Sequence, residues 1–600
     1  MSNRHLVQFA LFAALLAFVL ADVARAVDPQ VLAAQQQRVE VVEKCAPTVV
    51  AIFSASGSGG GSGVIISKDG YALTNFHVTS GAGTFMQCGL SDGKVYLAVI
   101  VGIDPTGDVA LIKLLGRDDF PAAKLGDSDK LRAGDFAYAM GNPFLLATDF
   151  KPTVTYGVVS GVHRYQYPAG KDFLEYTDCI QIDTSINPGN SGGPLFNGDG
   201  ELVGINGRGS FEKRGRVNSG AGYAISINQI KHFMGHLKSG RIVDHATLGA
   251  TVETSRSGAV IVSNILEESE AFRRGLEIGD EIVFFAGRPV RSVNQYKNIL
   301  GIYPKGWVLP LVYRRATKEN TIHVRLRALH TAADFGIGTK KPPSLPKPKR
   351  RPKGKPLPIR KRPAAKIPAK YKQMYVKRDG FANYHFNKLE QDRTLRAVKS
   401  LGDFSSVAGD WNLFGKTDAG KAFKLILDDK KAGLVVGDTE SYLQLLEQRY
   451  EHTPKLTGGL LAAMHVFKLF LTQGREGTAF PEFTYLGTEP LDGAGPPVDV
   501  IVTKYVNAKS DGIFSRWYFD PKDGRLLGFD TALDKDVDEC QVRFGAFKDF
   551  GGRKLPATLT VRFAGRMWGV LTLEKAELGA GAVKKIPPPK KTEKKVAKAA

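Results

Sequence analysis

Three residues in separate turn-rich contexts could together do chemistry in this chain. Ser191 sits in Asn187-Pro188-Gly189-Asn190-Ser191-Gly192-Gly193-Pro194-Leu195, His77 in Thr74-Asn75-Phe76-His77-Val78, and Asp108 in Gly107-Asp108-Val109-Ala110-Leu111-Ile112. A serine hydroxyl is a poor nucleophile unless a base removes its proton and amide donors receive the oxyanion that forms. Glycines on both sides of Ser191 let the backbone turn tightly enough to aim N–H groups at a reacting carbonyl. His77 would accept the Ser191 proton and return it to a leaving amine. Asp108 would hold the imidazole tautomer and stabilise the imidazolium. Taken singly, each motif has a plain structural explanation: a glycine turn, a histidine in a strand, an aspartate at a turn. Together, in these contexts, they point to acyl transfer.

Such a site needs a rigid frame, and residues 27–240 supply the pattern of one. Short apolar or alternating runs recur at 64–67, 97–101, 110–114, 155–160 and 202–205, separated by turns such as Lys68-Asp69-Gly70 and Asn197-Gly198-Asp199-Gly200. This is an all-β pattern. The run Ser56–Ser62 continues into Val64-Ile65-Ile66 and is read as close backbone packing at a barrel edge rather than as a linker.

The order His77, Asp108, Ser191 is that of the chymotrypsin-type triad. With Gly61-Ser62-Gly63-Val64-Ile65-Ile66, Gly70-Tyr71-Ala72-Leu73, Met140-Gly141-Asn142-Pro143-Phe144 and Gly220-Ala221-Gly222-Tyr223-Ala224-Ile225, these segments resemble the HtrA (or Deg) family of serine proteases across residues 40–240. The resemblance implies a chymotrypsin-like double β-barrel with the triad in its cleft, serine-type endopeptidase activity on misfolded proteins, and an oxyanion hole from the N–H groups of Gly189 and Ser191. It also implies homo-oligomers, most often trimers. Loss of one oxyanion donor costs about 3–4 kcal/mol in comparable sites. Ser185 stands six residues before the nucleophile, where trypsin-like enzymes place an acidic residue. Being neutral, it suggests small or medium apolar P1 side chains. The alternative function is a non-proteolytic chaperone or scaffold with a locked site.

At 600 residues the chain should hold several domains, because single cores stop growing at roughly 250–300 residues. A hydrophobic content of 43% fits globular domains and excludes a multi-span membrane protein. The net charge of +22 is concentrated: residues 340–372 contribute +14 and residues 584–600 contribute +6. The folded parts are near neutral, which argues against nucleic acid as a partner. At the N-terminus, Arg4 and His5 precede the apolar run Leu6–Leu20, and Ala24-Arg25-Ala26 offers a cleavage pattern. Residues 1–26 are therefore expected to be a signal peptide, with export to the periplasm or cell envelope, or secretion. A retained membrane anchor is the alternative, although the run falls short of the about twenty residues of a span.

No residue cluster calls for a metal or cofactor. Cys45, Cys88, Cys179 and Cys540 show no C-x-x-C spacing and are expected to be buried free thiols, with one protease disulfide as the alternative. His232 and His236 are spaced i, i+4 on a probable helix, but no carboxylate joins them.

Residues 246–329 contain Ser257-Gly258-Ala259-Val260-Ile261-Val262, Gly275-Leu276-Glu277-Ile278-Gly279-Asp280-Glu281-Ile282 and Ala286-Gly287-Arg288-Pro289-Val290, which resemble a PDZ domain (α+β). The resemblance implies capture of C-terminal peptides by strand addition, with Leu248, Gly249 and Ala250 of the loop Thr247-Leu248-Gly249-Ala250 cradling the carboxylate. Residues 331–372 form a basic Pro-rich linker. It is a stiff spacer, or a contact for an anionic surface through 340–372. Residues 373–580 form a C-terminal α+β domain, separate from the protease. A helix is expected at Ser441–Glu447 and an antiparallel meander at 515–530, 541–547, 559–563 and 569–573. Through its hairpin chemistry this region resembles LolA-like half-barrels, which bind lipid-modified proteins. Residues 581–600 form a basic disordered tail.

Overall fold

The structure is a computed structural model and describes residues 28–54, 60–142, 149–166, 174–187, 189–211, 218–335, 367–507 and 512–580, with isolated positions 7, 10, 12 and 509. The rest of the expected signal peptide, the linker over 336–366 and the tail 581–600 lie outside the described residues. No helix among the described residues is long and apolar enough to cross a membrane.

Two closed antiparallel barrels form the N-terminal half. The strands β1 (Val49–Ser54), β2 (Gly60–Ile65), β3 (Tyr71–Thr74), β4 (Phe85–Leu90), β5 (Val95–Asp104) and β6 (Val109–Leu114) close in the order β1-β2-β3-β6-β5-β4. The strands β7 (Phe136–Gly141), β8 (Thr153–Gln166), β9 (Tyr176–Ile182), β10 (Pro194–Phe196), β11 (Leu202–Phe211) and β12 (Asn218–Ser226) close in the order β10-β11-β12-β9-β8-β7. Six strands leave an interior that side chains fill, which is why β6 reads Val-Ala-Leu-Ile-Lys-Leu and is buried at all but Lys113. The mainly β, double-barrel fold class read from the sequence holds. One local reading changes: His77 lies not in a strand but in the short helix α1 (Phe76–Ala82) that follows β3.

The helix α2 (Ile227–Lys238) ends the double-barrel region. A sheet of strands 250–254, 260–265, 281–285, 308–315 and 318–325 follows, and the helix α3 (Val293–Gly301) packs against it and against β8 and β9. Ser292 caps α3 by accepting from the Gln295 amide.

The C-terminal region is an eleven-stranded antiparallel sheet wrapped around one helix, α5 (Leu460–Thr472). Its strands run in the order 440–445, 431–436, 422–427, 410–417, 566–580, 558–563, 540–544, 526–532, 513–519, 497–505 and 482–490. α5 is apolar almost all round, the signature of a helix with no solvent face. Phe470 stacks on Trp517 with ring centroids 3.9 Å apart, and Phe467 stacks on Phe529.

Two expectations fail here. The segment expected to be helical at Ser441–Glu447 is a strand, Glu440–Leu445, paired with Lys431–Val436. Its Leu and Gln residues favour helix in isolation, and the ladder to the neighbouring strand overrides that preference. Nor is the C-terminal region set apart from the double barrel. The helix α4 (Tyr384–Leu395) inserts between them, with Phe386 buried in the core of the double barrel. Asn383 donates to the Ile100 carbonyl of β5 (2.8 Å), and Asn387 donates to the carbonyls of Ser239 and Tyr485 (2.9 and 2.8 Å). Arg241 reaches Thr484 (2.7 Å), and Trp307 donates to the Thr488 carbonyl (2.9 Å). Arg325, half-buried, lies among Glu489, Asp530 and Glu539, at 3.4, 3.1 and 2.9 Å. The composition of the basic stretch carries no information about the flanking segments that make these contacts.

Candidate active site

His77 enters the cleft from the first turn of α1, and Asp108 from the turn before β6. The His77 backbone N–H and Nδ1 both reach Asp108 Oδ1 at 3.0 Å, and Nδ1 lies 2.8 Å from Oδ2. A carboxylate can only accept here, so Nδ1 carries the proton and Nε2 is the free base. Asp108 adopts φ +57°, a conformation that tolerates Asp better than most side chains. The Asp108 carbonyl accepts from the Asn75 side chain (2.9 Å) and the Phe76 amide (3.2 Å), so the helix start and the aspartate turn hold each other. Burial pulls the His77 pKa down, but the hydrogen bond and charge of Asp108 outweigh it and the imidazole lies above its ordinary value.

Ser191 stands in a turn fastened from both barrels. The Asn190 N–H donates to the Asn187 carbonyl (2.9 Å), Gly192 N–H to Asn206 (2.8 Å) and Gly193 N–H to Asn190 (3.0 Å). From the first barrel, Ser62 N–H donates to the Ser191 carbonyl (2.9 Å) and Ser62 Oγ to the Gly189 carbonyl (2.6 Å). Gly192 (φ +84°) is pressed between the barrels: a Cβ there would sit 2.3 Å from both Ser62 O and Thr74 Oγ1. Gly189 lies at φ +109°, and among the described residues the N–H groups of Gly189 and Ser191 have no hydrogen-bond partner. The Ser191 hydroxyl donates to the Gly207 carbonyl at 3.3 Å, and no hydrogen bond joins it to His77 among the described residues. Such bonds are commonly long or absent in a free site and tighten around substrate.

The trypsin-like peptidase domain family matches residues 61–205. The probable periplasmic serine endoprotease DegP-like of Marinomonas sp. is 39% identical over 279 residues, 45% of this chain and 57% of the relative. The periplasmic serine endoprotease DegP of Escherichia coli K12 is 37% identical over 279 residues, 44% of this chain and 56% of its own. Over its N-terminal half the chain is similar to DegP-type periplasmic serine endoproteases. A solved HtrA-type protease, AlgW with a tripeptide, is 31% identical and covers 49% of this chain and 97% of its own at a TM-score of 0.41. The chain spans somewhat over half the length of the curated HtrA relatives it matches.

Elsewhere in the chain, Leu248 is buried, and Gly249 lies at φ +75° with its carbonyl accepting from Leu266 (2.8 Å). The Gly249 N–H is already taken by Thr247 Oγ1 at 3.2 Å. Ala250 opens the edge strand of its sheet. His232 donates Nδ1–H to the Ile302 carbonyl (3.0 Å) and stacks on Tyr303, while His236 is buried with its pKa pushed down by burial to about 3, so the pair serves packing. All four cysteines are buried free thiols. Asp129, His163 and Asp178 lie close enough to share a cation, but the Arg288 guanidinium fills that role at 2.7 Å from Asp129 and 3.5 Å from Asp178.

Ser62 and Tyr176, whose phenol donates to Asp108 Oδ2, were not singled out from the sequence. Ser62 carried a signal only in the glycine run around it. Tyr176 carried none.

Proposed function

We propose that the chain is an exported serine endopeptidase of HtrA type that cleaves misfolded or C-terminally recognised envelope proteins, with His77 as base, Asp108 as its orienter and Ser191 as nucleophile. The observation that carries this reading is the pairing of a tautomer-fixed His77 with two amides, Gly189 and Ser191, that have no partner among the described residues, in the nucleophile's own turn. Those amides would receive the oxyanion. Names of the relatives support periplasmic residence. The PDZ-like unit would capture peptide C-termini at Leu248, Gly249 and Ala250, and the protease would work as a homo-oligomer. Amidating a peptide's C-terminus should remove most of its binding to the full chain, because the loop would lose a charged acceptor.

The deciding experiment is hydrolysis of unfolded casein by the intact chain and by Ser191→Ala. Turnover lost only in the variant supports the reading, and equal turnover overturns it. The second reading, a scaffold with a locked site, is favoured by the Ser191 hydroxyl lying on the Gly207 carbonyl instead of the imidazole. A fluorophosphonate probe separates the two, since it labels only an activated serine.

A further inference from the structure

We propose that Tyr176 is a positioning residue for hydrolysis: its phenol fixes the plane and shares the charge of the Asp108 carboxylate, and through it sets the basicity and orientation of His77. The proposal rests on the serine-protease reading above.

Tyr176 opens β9 and is 3% exposed; its hydroxyl donates to Asp108 Oδ2 at 2.7 Å. Oδ1 is held by the His77 backbone amide, so the two oxygens are pinned from opposite directions. Without the phenol, Oδ2 would keep only the imidazole proton that it shares with Oδ1. The ring is itself held. The Glu175 N–H donates to the Thr106 carbonyl at 3.0 Å, tying the start of β9 to the aspartate turn. Gly207 lies so close to the ring that a Cβ there would be 2.7 Å from it, and the Gly207 carbonyl accepts from Ser191 Oγ. One side chain therefore touches the supports of both Asp108 and Ser191. The other carboxylate of this turn, Asp104, pairs with buried His245 at 2.9 Å and does not substitute.

A donor on Oδ2 draws off carboxylate charge that would otherwise stabilise the imidazolium. Tyr176→Phe removes the bond that holds Oδ2 in place, and the loss of positioning should lower kcat about ten-fold with KM within about two-fold, since the ground-state contacts to substrate are untouched. It should also raise the His77 titration midpoint, read by NMR on carbon-13-labelled histidine, by about half a unit or more. 3-Fluorotyrosine at position 176 keeps the shape and strengthens the donor, and should move that midpoint down. Both shifts in these directions support the assignment. A midpoint unmoved in both proteins, or activity lost with the midpoint unmoved, overturns it. If the Phe variant does not fold, the fluorotyrosine protein decides alone. If the parent chain hydrolyses nothing, the proposed function fails while the titration still judges Tyr176.

Discussion

Ser62 in β2 of the first barrel holds the turn that carries Ser191 in the second: its N–H donates to the Ser191 carbonyl and its hydroxyl to the Gly189 carbonyl, at 2.9 and 2.6 Å. The same hydroxyl accepts from the Asn142 amide at 2.9 Å. With the Gly189 and Ser191 carbonyls both held, the backbone on either side of Asn190 is fixed at the barrel seam, which limits how far the neighbouring N–H groups of Gly189 and Ser191 can turn.

Ser62→Ala should leave Ser191 in place but let the Gly189 peptide move. Losing a buried hydrogen bond of this kind costs about 1–2 kcal/mol, so kcat/KM should fall roughly ten-fold or somewhat more. Steady-state kinetics on a quenched peptide checks this, and an unchanged value would show that the Gly189 peptide needs no such tether.

Ser191→Ala should abolish turnover, and His77→Ala should be about as damaging, because triad members act as a unit. Ser191 Oγ makes one 3.3 Å hydrogen bond, so the variant's urea midpoint should stay close to the parent's. A variant that loses activity by unfolding would fail this comparison.

Activity should also depend on pH in a definite direction. His77 must be neutral to act as base, and the hydrogen bond and charge of Asp108 hold its pKa above the ordinary 6.5. The acid limb of kcat/KM should therefore have its midpoint above about 6.5. A midpoint below that value would mean that the burial of His77 dominates over Asp108.

Stability should show a separate pH term from the fully buried pair His245 and Asp104. Burial lowers the His245 pKa, yet the Asp104 charge and hydrogen bond leave it raised above 6.5. A folded pKa above the unfolded one gives stability that is fully present below about pH 6.5 and is lost as pH rises through the folded value. The difference in urea midpoint between the parent and His245→Gln should shrink on the alkaline side. A pH-independent difference would refute this.

Asn387 makes four buried hydrogen bonds, to Ser239, Gln391 and both backbone groups of Tyr485. Asn387→Ala should destabilise the chain by about 3 kcal/mol, since buried carbonyls are left without donors. The variant should unfold at lower urea by probes placed in both halves. A loss confined to the C-terminal sheet would restore the picture of a separate module.

What was legible in the sequence follows from how far apart the partners lie. His77, Asp108 and Ser191 each announce themselves within five or six residues, because turn glycines and strand alternation are local. Ser62 acts on Gly189, 127 positions away, and Tyr176 on Asp108, 68 away, so no local pattern marks either. The strand 440–445 was misread because its residues are good helix formers and only its neighbour decides the matter. The docking of α4 was illegible for the same reason: Asn383 finds the Ile100 carbonyl across 283 residues.

That last distance has a consequence for the order of events during folding. In the eleven-stranded sheet, Asp410–Thr417 pairs with Arg566–Ala580, so the sheet is unfinished until Arg566–Ala580 has emerged. Closing such separations is slow. A chain that emerges N-terminus first would present a double barrel whose flank, at Ile100, Ser239 and Gly240, stays bare while some 140 further residues arrive for Asn383 and Asn387 to cover it. Maturation of the double barrel would then be timed by the arrival of Asn383 and Asn387, and a molecule interrupted before them would remain immature as well as short.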